Sequence, residues 1–229
     1  MGSGCDDRLT SMSGRPFVEQ DDRARATSFG EGHRLTAIDR LGTWLSRRKV
    51  TKVIGGIDGK VLADVGCGFD ARFGMSVLHR LRRLLLADVS IDQQLDRDER
   101  VELHVGLLPD SLDDIADGSV DRVVMNSVLE HLDEPSVTLR ALRRIVSPDG
   151  GVVFVNVPTW LGKRALELSA FRLGLSPRLE IEDHRRYYDR RQLWQELRDA
   201  GFLPSEIVVR RHKLGLNAYA VCRLHRSEG

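Results

Sequence analysis

A short apolar run that leads through a glycine bend into a stretch of helical periodicity constrains this fold most. Val61–Val65 is apolar except for Asp64, Gly66-Cys67-Gly68 follows, and apolar residues then recur at helical spacing over residues 69–82. This pattern predicts a buried strand, a tight turn and a helix whose first N–H groups face whatever lies over the turn. Such a unit is typical of parallel α/β sheets, so we expect a nucleotide-like ligand at the bend.

Acidic residues near the bend discriminate between possible ligands. Gly66, Gly68 and Ala71 satisfy the dinucleotide fingerprint, and Asp88 follows about 20 residues later, where a ribose-binding acid is expected. Asp64 and Asp70, however, would repel a pyrophosphate and attract a ligand that carries an ammonium or sulfonium group. We therefore favour a cationic nucleoside and keep NAD as an alternative.

Composition places few limits on partners. The 229 residues have a net charge of +1, which gives no overall attraction to nucleic acid. No apolar run approaches the roughly 20 residues of a membrane span, and no secretory h-region is present, so we expect a cytoplasmic protein without a membrane span. The cysteines, Cys5, Cys67 and Cys222, are scattered, and no acidic cluster has metal-ligand spacing, so we predict no disulfide framework and no metal.

Strand and helix patterns alternate along most of the chain. Further strands are predicted at 84–88, 101–105, 122–126 and 152–157, with helices at 136–146 and 190–200. Two last strands, at 206–211 and 217–224, are joined by a turn so short that only antiparallel pairing is possible. The sequence thus predicts an α/β fold with a doubly wound, mostly parallel seven-stranded sheet and a C-terminal antiparallel hairpin. An ordinary nicotinamide-binding domain lacks that hairpin.

Several motifs together resemble a known family. Asp64-Val-Gly-Cys-Gly68 is similar to the first motif of class I S-adenosylmethionine-dependent methyltransferases of the small-molecule, Methyltransferase-11-like type. The Leu-Glu-His-Leu step at 129–132 and the Tyr-Tyr-Asp step at 187–189 occur in the order found in that family. The resemblance implies a Rossmann-like fold, S-adenosyl-L-methionine as cofactor, and in-line methyl transfer to oxygen or nitrogen of a small-molecule or saccharide acceptor.

The resemblance also implies which residues hold the cofactor. They lie at or beside predicted strand ends and are Asp64, Gly66, Cys67, Gly68, Asp88, Gly106, Leu107 and Asn126. Asp88 would accept hydrogen bonds from the ribose hydroxyls, although it could instead cap a helix that begins near residue 91. Leu107 stands where the family usually has an acid against the adenine, so main-chain N–H groups and apolar contact would have to replace that acid.

A stretch at residues 158–188 interrupts the alternation and is predicted to form an insertion beside the transferable methyl group. Its aromatic and basic residues, Trp160, Arg185, Tyr187 and Tyr188, suit a sugar or aromatic acceptor. The two tyrosines could equally anchor the segment to the core.

Two histidines are candidates for catalysis. His131 or His184 could take a proton from a hydroxyl acceptor near neutral pH. The alternative for His131 is a hydrogen bond to its own loop or to the cofactor without titration.

Domain organisation follows from these patterns. Residues 1–28 are polar and predicted to be a flexible tail, and residues 29–229 to form a single domain. A helix at about 32–50 would either cover the cofactor as a lid or merely pack on the core. Besides a methyltransferase and an NAD-dependent oxidoreductase, a cofactor-binding protein without catalysis remains a third hypothesis.

Overall fold

Seven strands form one mixed sheet in the computed structural model, which describes residues 48–162 and 186–225. The strands are β1 (Val61–Val65), β2 (Arg83–Asp88), β3 (Val101–Val105), β4 (Arg122–Asn126), β5 (Val152–Pro158), β6 (Ile207–His212) and β7 (Asn217–Arg223). Their order is β3-β2-β1-β4-β5-β7-β6, in which the first five are parallel and β7 runs antiparallel to both β5 and β6. The predicted fold class is therefore confirmed.

Among the described residues, the α-helices that connect or cover these strands are α1 (Arg72–Val77), α2 (Pro135–Ile145) and α3 (Arg190–Asp199). Residues 48–54, where the described chain begins, are also helical. No helix in the described ranges is long and apolar enough to cross a membrane. The predicted tail at 1–28 lies outside the described residues, as does most of the predicted helix at 32–50.

Helix α1 is shorter than the helix predicted over 69–82. Ala71 adopts a left-handed conformation with φ of 43°, so regular helix begins only at Arg72, and it gives way to a 3-10 turn at Leu78–Arg80. Helix α3, by contrast, begins as predicted. Asp189 and Gln192 form a reciprocal capping box there, which satisfies N–H groups at the start of the helix.

Side chains alternate between the two faces of the sheet, and each face has its own core. Ala63, Met125 and Val155 face α2 and α3, while the residues one position earlier, Leu62, Val124 and Phe154, face α1 and residues 50–57. Continuing this alternation places four polar residues on the α1 face, near the carboxyl ends of their strands. They are Asp64, Asp88, Asn126 and Asn156.

The strand order creates a crevice beside the end of β1. From β1 the sheet continues through β2 on one side and through β4 on the other, so the connections leave in opposite directions. Ligands of open α/β sheets bind at such a switch point, outside the carboxyl ends of the strands. The four polar residues lie at that edge.

Gly74 lets α1 lie close against the sheet. A Cβ on Gly74 would lie 3.0 Å from Leu84 Cδ1, 3.1 Å from Leu86 Cδ2 and 3.2 Å from Asp64 Oδ2. Close helix–strand packing is the role of the third glycine in the dinucleotide fingerprint. The sequence has Ala71 at that position of the fingerprint, and in the structure Gly74 has this packing role.

We predict that Gly74→Val lowers the free energy of unfolding by about 1–3 kcal/mol, because the added side chain overpacks the contact between α1 and β2. Urea unfolding measures the change. Gly56→Val is the matched control, since a Cβ there meets no atom within 4 Å. Equal losses in both variants would contradict the close approach of α1.

Candidate functional site

The glycine bend has the backbone conformation that its sequence predicts. Gly66 and Gly68 have φ of 71° and 75°, values that favour glycine. The N–H groups of Gly66 and Cys67 both donate to the carbonyl of Ala87, at 2.7 and 3.3 Å, and so tie the bend to the end of β2. A Cβ on Gly66 would lie 2.0 Å from Val128 Cγ2, so Gly66 has no room for a side chain.

Asp88 binds the bend directly. Its Oδ2 accepts from Gly68 N at 2.7 Å and its Oδ1 accepts from Val89 N at 2.7 Å. The helix predicted near residue 91 is a 3-10 turn, Gln93–Arg97, and its capping residue is Asp92. Asp88 is therefore not the cap that we considered as an alternative.

Asp64 lies beneath the bend and is 4% exposed. Its Oδ2 accepts from Gly74 N at 3.0 Å, so this N–H of α1 faces a carboxylate of the protein rather than the crevice, contrary to our prediction for the first helical N–H groups. Burial raises the pKa of Asp64 to about 7; the Gly74 hydrogen bond lowers it and the negative charge of Asp88 raises it further. A cationic ligand would favour the ionised form.

Neither Asp70 nor Cys67 adds an unpaired negative charge at the bend, although the sequence predicted such a charge for Asp70. Asp70 forms a surface ion pair with Arg72 at 2.6 Å, so the second carboxylate at the bend is Asp88, not Asp70. Cys67 is half-buried, and burial together with the charges of Asp64 and Asp88 raises the pKa of its thiol well above the usual range. The thiol is therefore neutral and donates to the Gly68 carbonyl at 3.4 Å.

Asn126 and Asn156 lie on the other side of the bend. They are register partners at the ends of β4 and β5, and Asn156 Nδ2 donates to Asn126 Oδ1 at 3.0 Å. Ser127 has φ of 58°, and its N–H donates to the Asn156 carbonyl at 2.9 Å. This turn brings Val128 against Gly66. Sequence reasoning found Asn126 but missed Asn156, whose signal was a polar residue within a valine-rich strand.

Apolar residues border the carboxylate side of the crevice. Val105 is the register partner of Asp88, and Gly106 N donates to the Asp88 carbonyl at 3.0 Å. Val105 and Leu107 are 50% and 56% exposed, so they offer an apolar surface beside Asp88. Leu107 follows two residues after the register partner of Asp88, and its contact with adenine stays a prediction.

An aromatic pair follows the end of β5. The Trp160 and Tyr187 rings lie 5.2 Å apart, with Trp160 53% exposed and Tyr187 buried. Tyr188 packs in the core on the side of α2 and α3, which favours its role as an anchor. His184 and Arg185 lie outside the described residues.

The loop after β4 and the last residue of β5 both bind the main chain of residues 186–188. Arg186 N donates to the Glu130 carbonyl at 3.2 Å, and Tyr188 N donates to the Pro158 carbonyl at 3.4 Å.

His131 is half-buried in the same 3-10 turn as Glu130. Its N–H donates to the carbonyl of the loop residue Val128 at 2.9 Å. Glu130 itself is fully buried, and burial raises the pKa of its carboxyl to about 8. Within residues 48–162 and 186–225, no group of three or more His, Cys, Asp or Glu side chains could hold a metal ion.

Comparison with known proteins places this site in context. A family model described as a methyltransferase domain matches residues 47–204. No curated protein matches the chain.

Solved structures share the fold at low identity. A chain in the complex of the Haloferax volcanii Trm112 methyltransferase activator with a methyltransferase is 15% identical, with a TM-score of 0.61 over 82% of this chain and 92% of its own. A SAM-dependent methyltransferase from Archaeoglobus fulgidus is 11% identical, with a TM-score of 0.57 over 81% and 93%. One from Mesorhizobium loti is 15% identical, with a TM-score of 0.55 over 81% and 99%.

Glu130 predicts a pH dependence of stability. Folding raises its pKa from 4.5 to about 8, so its contribution to stability is fully present below about 4.5 and is lost as the pH rises through about 8. As the pH rises between these values, we expect the wild type to lose up to ~1.4 kcal/mol of unfolding free energy per pH unit relative to Glu130→Gln. Urea unfolding at several pH values measures the slope, with the exposed neighbour in Glu134→Gln as control. Parallel pH profiles of wild type and Glu130→Gln would contradict the prediction.

Proposed function

Because the chain belongs to the methyltransferase family whose domain model it matches, it is an S-adenosyl-L-methionine-dependent methyltransferase, and we propose that its acceptor is a small molecule or saccharide, methylated at oxygen or nitrogen. The observation that supports the proposal is the edge of the sheet, where carboxylates, amides and an aromatic pair follow one another around the bend. Family membership favours this function over an NAD-dependent oxidoreductase and over a catalytically silent cofactor-binding protein.

The residues at the bend fit the chemistry of the cofactor. Asp64 and Asp88 supply negative charge toward a sulfonium and an ammonium group. The absence of a side chain at Gly66 lets Val128 and the loop after β4 lie against the bend. A carboxylate accepts several hydrogen bonds at once, so ribose hydroxyls can join the two backbone donors of Asp88. Val105 and Leu107 would contact the adenine, and Asn126 would lie at the methionine part.

The chain's contribution to the reaction is chiefly to position the acceptor. When bound, the cofactor supplies an electrophilic methyl carbon on its sulfonium. Holding the acceptor atom in line with that carbon, about 3 Å away, can supply much of the rate. The exposed Trp160 ring, supported by Tyr187, would bind the acceptor next to the amide side of the bend. Arg185 remains a proposed contact.

A hydroxyl acceptor would also need to lose a proton. His131 lies three residues after Val128, on the loop whose Val128 side chain contacts Gly66. We assign it the role of general base for such an acceptor, with His184 as the second candidate. A nitrogen acceptor that is already nucleophilic would need no base.

The start of the described chain supports the predicted lid. Lys49 Nζ lies 5.0 Å from the centre of the Tyr219 ring, and Arg223 Nη2 donates to the Val53 carbonyl at 2.7 Å. Tyr219 pairs with Asn156 at the carboxyl end of β5, whereas Arg223 pairs with Val152 at its amino end. The amino end of the helical residues 48–54 therefore lies toward the carboxyl ends of the parallel strands, where the site is. This direction supports a cover formed by the helix predicted at 32–50.

Asp88→Ala tests the ribose contact. We expect the variant to bind S-adenosylhomocysteine more weakly by about 1–3 kcal/mol, because it loses charge-assisted hydrogen bonds. Isothermal titration calorimetry measures the affinity, with the surface variant Asp96→Ala as control. Unchanged affinity in Asp88→Ala would remove this residue from the site.

An acceptor screen tests the proposed function. Release of S-adenosylhomocysteine is measured over a panel of small alcohols, phenols, amines and saccharides, and mass spectrometry identifies the methylated atom. With a hydroxyl acceptor, His131→Asn should lower kcat about 10²-fold while S-adenosylhomocysteine binding stays constant. His79→Asn is the control, because His79 is an exposed residue of the 3-10 turn after α1. No release with any acceptor class, or turnover only of a macromolecule, would overturn the proposal.

A further inference from the structure

Asn156 lowers the stability of the fold at its position. It is 3% exposed in a strand whose other residues are apolar, and its Oδ1 has no hydrogen-bond partner among the residues that the structure describes. A buried acceptor without a donor costs about 1–3 kcal/mol. A valine, like those on either side, would avoid that cost, so stability does not explain the asparagine.

The other end of the same amide is bound. Asn156 Nδ2 donates to Asn126 Oδ1 at 3.0 Å, and the two residues are partners in the parallel register of β4 and β5. Asn126 is half-buried and lies nearer to the bend, whereas Asn156 lies behind it, farther along the sheet. Asn156 therefore acts on the crevice through Asn126.

This hydrogen bond decides which end of the Asn126 amide is available to a ligand. Because its oxygen accepts from Asn156, Asn126 presents its Nδ2 donors. The reversed arrangement, with Asn126 donating to Asn156 Oδ1, would leave the two N–H donors of Asn156 buried without this acceptor. The observed arrangement leaves one acceptor unsatisfied and is the less costly of the two.

The charges around the bend indicate what these donors bind. Asp64 lies beneath the bend and Asp88 lies on its opposite side, and both carboxylates repel an anionic group. The amino-acid end of the cofactor carries both an ammonium and a carboxylate, and the acids complement only the ammonium. On the basis of the proposed function, we infer that Asn156 is a positioning residue: it orients Asn126 so that Nδ2 donates to the carboxylate of the cofactor's amino-acid end.

Two ligands isolate this contact. S-adenosylhomocysteine has the amino-acid end, and 5′-deoxy-5′-methylthioadenosine keeps the adenosine and the thioether but lacks it. We expect Asn156→Val to weaken S-adenosylhomocysteine binding about fivefold to thirtyfold in calorimetry and to leave methylthioadenosine binding unchanged. The thermal midpoint of the ligand-free variant should equal or exceed that of the wild type, because a buried unsatisfied acceptor is removed. A merely structural role would lower it.

Asn156→Asp is the second variant. At alkaline pH, where the introduced carboxyl is ionised, it accepts from Asn126 Nδ2 and thereby turns Asn126 Oδ1 toward the ligand carboxylate. The loss for S-adenosylhomocysteine at that pH should exceed that in Asn156→Val. In an Asn126→Ala background, Asn156→Val should have no further effect on affinity, because the residue acts only through Asn126.

The outcomes separate this inference from the function on which it rests. Failure of the wild type to bind S-adenosylhomocysteine would overturn the cofactor site itself. Wild-type binding combined with equal losses for both ligands, with no loss in either Asn156 variant, or with a persistent effect in the Asn126→Ala background, would overturn only the role of Asn156.

Discussion

The absence of space for a side chain at Gly66 is the constraint on which the site depends. Val128 lies where a Cβ would be, so the loop after β4 and the bend after β1 are in direct contact across the switch point of the sheet. Strand β1 ends one residue before its neighbours β2 and β4. The floor of the crevice is therefore formed by the backbone of the bend and not by a side chain. Hydrogen bonds from the bend to Ala87 and Asp88 hold it in that position.

The two sides of the bend differ in charge, and that difference orients a ligand with unlike ends. On the β2 side, Asp88 lies beside exposed apolar residues, which suits a nucleoside. On the β4 side, neutral amides lie next to the segment that carries Trp160 and Tyr187. Between them Asp64 is buried and has a raised pKa, a destabilising arrangement that folding alone would not favour. Such local costs are typical of functional sites.

The acceptor side shows why a shared fold does not identify a substrate. One scaffold can serve many substrates, because loops on a rigid sheet carry the contacts that differ in function. Glu130 and Pro158 fix the entry of residues 186–188 into α3 through main-chain hydrogen bonds, and Tyr188 fastens them to the core.

The sequence by itself determined the sheet, its closing hairpin, the bend and the position of Asp88 at a strand end, because strand periodicity, glycine and short turns act locally. It also placed Asn126, since a strand's last residue is visible in the pattern. Only the tertiary structure decided that Gly74 rather than Ala71 brings the helix close, that Asp70 is occupied by Arg72, that Tyr188 is a core anchor, and that Asn156 stands behind Asn126. Each of these depends on contacts between segments far apart in the chain, and no local pattern encodes which segments become neighbours.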